Sequence, residues 1–125
     1  MGEAMRLQGI SQVSPLCLLG QEQGGSIRIL ALIARTIAGG LREGDFVARI
    51  GGDEFAALLP RTDLNEAEVL AERLRARVQD AGADASVTAS IGVAMLEDDV
   101  RRALLRADVA LYEAKNSGPN IVKRG

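Results

Sequence analysis

Two β-like runs, Asp45–Ile50 and Glu54–Leu59, meet across Gly51-Gly52, and this junction most limits how the chain can fold. A reversal that tight needs backbone angles that side chains resist, so the pair of glycines predicts a β-hairpin. Upstream, Leu30, Ile33, Ala34, Ile37 and Leu41 recur at helical spacing and predict a helix over 28–41, its last turn weakened by Gly39-Gly40. Downstream, Pro60 closes the second run, and Asp63 with Glu66 forms a capping-box pattern that opens a helix through about Val78. Ala67, Leu70, Ala71, Leu74 and Val78 are its inward stripe, and Glu72, Arg73, Arg75 and Arg77 its outward face. Val87–Val93 alternates apolar and small polar residues as a strand does. Asp98-Asp99 can cap a third helix with the stripe Val100, Leu104, Ala107, Leu111 and Ala114, which Gly118-Pro119 ends before a last short strand over Asn120–Lys123.

This order of elements predicts an α+β fold, with helices packed on a mostly antiparallel sheet. Residues 28–125 carry all of these patterns. Residues 1–27 form an atypical, Gly-, Gln- and Ser-rich N-terminal segment in which only Val13–Leu19 offers a candidate strand.

Composition removes several function classes. The 125 residues suit one domain, and aromatics are 2 %, so the core has to be aliphatic and base stacking lacks its usual parts. A net charge of −2 supplies no basic field for nucleic acid. There is no histidine, which excludes histidine triads and histidine metal sites, and Cys17 is the lone cysteine, which excludes an internal disulfide. No run has the roughly 18 apolar residues of a membrane span, so no membrane segment is expected and a cytoplasmic location is the default.

The candidate chemistry gathers at Gly51-Gly52-Asp53-Glu54-Phe55. Glycines at a hairpin tip let backbone approach a phosphate or base, and two adjacent acids offer a carboxylate for a hard cation. The same residues also suit a plain turn followed by two solvated acids. Around them stand Asp45-x-x-Ala48-Arg49-Ile50, then Val87–Ala94, then Ala107-Asp108-x-Ala110-Leu111-Tyr112-x-Ala114-Lys115-x-x-Gly118-x-Asn120. These three blocks, in this order, closely resemble the GGDEF domains of bacterial signalling, diguanylate cyclases that condense two GTP molecules into cyclic di-GMP. The resemblance implies a nucleotidyl-cyclase-like palm with the hairpin carrying the motif. It implies Gly51 and Gly52 against the nucleotide and Lys115 at the triphosphate. Asp53 and Glu54 would act jointly as catalytic acids and ligands of Mg²⁺ or Mn²⁺, in a homodimer that brings two GTP sites together. Lys115 has an ordinary alternative as a cation near a helix C-terminus, where the dipole favours it. Arg42-Glu43-Gly44-Asp45 resembles the family's inhibitory cyclic di-GMP site. There an arginine fork suits phosphate or a guanine edge, and an aspartate accepts from guanine N–H groups. Asp108 has an ordinary explanation in local hydrogen bonds, and Tyr112 in packing at a core edge.

The family's first strand carries D-x-D-x-F-K, followed by N-D and by a G-D that opens the helix before R-x-x-D, and none of these stands at its place in this chain. Ser26 and Ile27 stand at the G-D position, and Pro119 where an arginine is common. If Pro15–Leu19 fills the first-strand slot, Gly20 falls near the metal-ligand position and Glu22 near the second acid. The abrupt onset of resemblance near Arg28 predicts a truncated, rearranged or degenerate N-terminus. Three expectations follow: a weak or inactive diguanylate cyclase, a degenerate domain that senses cyclic di-GMP through Arg42 and Asp45, or a non-catalytic interaction domain.

Overall fold

The computed structural model describes residues 14–21, 27–51, 54–85, 87–97, 99–118 and 120–125. Five strands form one sheet: β1 (Ser14–Gln21), β2 (Phe46–Gly51), β3 (Glu54–Leu58), β4 (Ala89–Leu96) and β5 (Val122–Arg124), in the order β2-β3-β1-β4-β5. Every pair is antiparallel except β4 with β5. The helices are α1 (Ile27–Gly40), α2 (Leu64–Ala81) and α3 (Val100–Asn116). The fold is α+β, as the order of elements predicts.

Strand alternation divides the core. On one face Phe55, Ala57 and Leu59 of the β3 region and Ala89, Ile91 and Val93 of β4 pack with Ile33 and Ile37 of α1 and the α2 stripe. On the other face Leu58, Ala94 and Leu96 pack with Ala103, Ala107 and Leu111 of α3. Successive strand residues point to opposite faces, so one register buries both sets.

The helix starts follow the sequence. The Asp63 carboxylate accepts from the Glu66 amide at 2.8 Å, and Glu66 accepts in return from the Asp63 amide at 3.0 Å. Asp99 caps α3 by accepting from the Arg102 amide at 2.8 Å; Asp98 lies outside the described residues.

Two details differ from the periodicity, and a third adds to it. The face of α3 that is fully buried is Ala103, Ala107, Ala110, Leu111 and Ala114, while Val100 and Leu104 are only partly covered. Gly92 gives the reason. A Cβ there would stand 2.2 Å from the Ala107 carbonyl oxygen and 2.5 Å from the Leu111 amide, so the helix backbone rests on the strand and admits small side chains. Tyr112, expected at a core edge, is 67 % exposed because it lies away from that contact line. Finally, Gly39 and Gly40 remain helical and act as a packing site. Their bare backbone receives Arg77 from α2, whose Nε donates to the Thr36 carbonyl at 3.4 Å near the end of α1.

No described helix is long and apolar enough to cross a membrane. The strand expected over Val13–Leu19 falls on β1, which lies at the centre of the sheet between β3 and β4. Five residues, 22–26, separate it from α1.

Candidate functional site

Two charged regions flank the sheet. The first is the hairpin end. β2 and β3 pair Arg49 with Phe55 and then Gly51 with Glu54, so Ile50 is an extra residue that bulges the edge strand and is 48 % exposed. Gly52 and Asp53 lie outside the described residues. Glu54 shares strand parity with Ala56 and Leu58 and therefore faces the α3 side. Across the ladder Glu54 pairs with Gly20 of β1, and Gly20 pairs with Ser90 of β4. Ser90 is fully buried, and its hydroxyl accepts from the Asn120 amide at 3.2 Å in the segment that follows α3. Lys115, exposed in the last turn of α3, thus comes to the same end and face of the sheet as Glu54.

The residue beside Glu54 on β1 is Gly20, which has no side-chain carboxylate. Among the described residues no three acidic, cysteine or histidine side chains gather closely enough to hold a cation. Glu22, the other candidate acid, lies outside the described residues. On the opposite face of the hairpin a groove of about 330 Å³ runs between α1 and β2, lined by Leu30, Ala34, Val47, Arg49 and Phe55. Ile27 opens α1.

The second region is the turn after α1. The Asp45 carboxylate accepts from the Arg42 amide at 2.8 Å and from Arg42 Nε at 3.4 Å, while the Asp45 amide donates to the Arg42 carbonyl at 3.0 Å. Gly44 turns the chain between them at φ +94°, a conformation that favours glycine. The Asp45 side chain is 2 % exposed and the Arg42 side chain 52 %. Asp45 thus holds Arg42 in place and leaves the guanidinium open. Arg42 Nη2 also donates to the Thr62 hydroxyl and, at 3.4 Å, to the Pro60 carbonyl. The guanidinium borders a groove of about 360 Å³ whose far wall is α2, with Asn65, Glu66, Val69 and Arg73.

Arg73 is the residue that the sequence pattern placed only on an outward face. The signal that marks it is its spacing. Glu66, Val69, Leu70 and Arg73 stand at i, i+3, i+4 and i+7, so one side of α2 faces Arg42.

Residues 18–121 match the family described as "Diguanylate cyclase, GGDEF domain". The chain belongs to the GGDEF family. It is 44 % identical over 110 residues to the diguanylate cyclase DgcM of Escherichia coli K12, a match over 84 % of this chain and 26 % of DgcM. It is 41 % identical to DgcP of Pseudomonas aeruginosa over 73 % of this chain and 15 % of DgcP. The chain therefore spans about a quarter or less of these two relatives. Among solved structures, the active GGEEF domain of a diguanylate cyclase from Vibrio cholerae superimposes with a TM-score of 0.82 at 24 % identity, over 98 % of this chain and 87 % of that one. SiaD of P. aeruginosa, solved with its activator SiaC, has a TM-score of 0.78 at 31 % identity, over 98 % of this chain and 53 % of that one. The family match begins at Leu18, within β1.

Proposed function

We propose that this chain is a diguanylate cyclase-type GGDEF domain that binds cyclic di-GMP at the Arg42 turn and converts GTP weakly or not at all. The observation that carries this reading is the pair of guanidinium groups, Arg42 and Arg73, on the walls of one groove. A cyclic dinucleotide presents two phosphodiester charges and two guanine edges. Arginine forks suit both, and the polar side chains of Thr62 and Asn65 line the same groove. Asp45 supports the site by fixing Arg42.

At the hairpin end, a role for Glu54 and Lys115 toward GTP is supported by their lying at the same end of the sheet, where Gly51 pairs with Glu54. Gly20 beside Glu54 supplies no metal-binding carboxylate. The five-residue passage from β1 to α1 is short for the family's guanine-contacting segment. Losing a metal ligand and several nucleotide contacts, each about 1.5–3 kcal/mol, lowers turnover by orders of magnitude at about tenfold per 1.36 kcal/mol. A second reading, weak synthesis of cyclic di-GMP by a homodimer with Mg²⁺ or Mn²⁺, is favoured by Glu54 and Lys115 facing the same end of the sheet.

Calorimetry with cyclic di-GMP tests the first reading. The wild type is expected to bind, and Arg42→Ala to bind roughly ten- to a hundredfold more weakly. Equal affinity in both proteins, or binding by neither, would refute it. Cyclic di-GMP produced from GTP and Mg²⁺ at a sustained rate would move the assignment to the second reading.

A further inference from the structure

We infer that Thr62 is a positioning residue for the groove: its buried hydroxyl sets the direction of the Arg42 guanidinium. The inference rests on the proposed binding role of Arg42 and adds the residue that gives that arginine its aim.

Arg42 has a flexible stem, and an exposed arginine ordinarily samples many rotamers, which costs affinity when a ligand must freeze one. Here two anchors restrain it. Asp45 takes the amide and Nε on one side. On the other, Nη2 donates to the Thr62 hydroxyl, and that hydroxyl donates in turn to the Pro60 carbonyl at 3.0 Å. Thr62 is 7 % exposed and, with Ser90, is a buried polar residue among the described ones. Its hydroxyl both accepts and donates, so removing it leaves the Pro60 carbonyl and an Arg42 N–H without that partner. Among the described residues the Nη1 edge of Arg42 makes no hydrogen bond. With Nε and Nη2 held, that edge is left for a phosphate or guanine edge in the groove.

The turn that carries Thr62 is built for this placement. Arg61, just before it, adopts φ +54°, an uncommon conformation for a residue with a side chain. Asp63, just after it, caps α2 through the reciprocal bonds with Glu66. The hydroxyl is thus held between a fixed turn and a fixed helix start, so it can orient a side chain contributed by another element. Deleting the Thr62 hydroxyl is therefore expected to lower affinity by loosening the aim of Arg42.

The test is a double-mutant cycle read by cyclic di-GMP calorimetry. Thr62→Ala is expected to weaken binding roughly tenfold, Thr62→Ser to stay within about twofold of wild type, and Arg42→Ala/Thr62→Ala to bind no more weakly than Arg42→Ala. Nitrogen-15 NMR of the wild type is expected to show distinct, slowly rotating Nη signals for Arg42, a measurement that needs no variant. Wild-type affinity in Thr62→Ala while Arg42→Ala is impaired would overturn the role of Thr62 and leave the site reading intact. So would losses that simply add in the double variant, or freely averaged Arg42 Nη signals. An Arg42→Ala protein with unchanged affinity would overturn both.

Discussion

The hairpin end and the turn after α1 both present charged residues at element ends, yet they are assembled to different degrees. At the hairpin, Glu54 and Lys115 come from different elements and converge through the sheet register, and their neighbour on the central strand is a glycine. At the turn, Arg42 is held by Asp45 from within its own loop and by Thr62 and Pro60 from the start of α2. The lesson is about assembly. A groove built from the turn after α1 and the start of α2 does not depend on β1, whereas an arrangement shared among strands changes when one strand changes. The family match over 18–121 includes both regions, so membership alone does not distinguish them.

The comparison breaks most completely at Gly92. Gly92→Leu drives a side chain into the α3 backbone, and because the obstacles at 2.2 and 2.5 Å are backbone atoms they cannot step aside. We expect a loss of about 3 kcal/mol or more, in the upper range for overpacking, seen as a fall of roughly 10 °C in the thermal melt and loss of both regions together. A normal melt would mean that α3 can lift off the sheet without cost.

A sharper test acts on one region alone. Gly20→Asp places a carboxylate next to Glu54, and production of cyclic di-GMP from GTP and Mg²⁺ is expected to rise about tenfold or more while calorimetric affinity for cyclic di-GMP stays unchanged. No rise would mean that the short passage before α1, rather than the missing acid, limits turnover.

The smallest effect is expected at Tyr112, the exposed aromatic of α3. Tyr112→Ala should alter stability by no more than about 0.5 kcal/mol in chemical denaturation, since little of the ring is covered. A larger loss would reveal packing at that face that the core arrangement does not require.

Much was legible in the amino-acid sequence because it is governed by neighbours in the chain. The pairing of β2 with β3 as a hairpin, the Asp63/Glu66 capping box, the Asp99 cap and the α2 stripe follow from spacing over a few residues, and so does the family assignment. Gly20 could be placed at the metal position only on the condition that the first segment fills the sheet. Tertiary structure supplied what depends on contacts between distant residues: β1 between β3 and β4, Arg73 across the groove from Arg42, Arg77 over Gly39-Gly40, and small residues rather than Leu104 beneath α3. Local hydrogen bonds and periodic burial determine which elements form and where they begin. Which side chains then meet depends on register and on how closely two backbones can approach, and both are set only when the elements pack together.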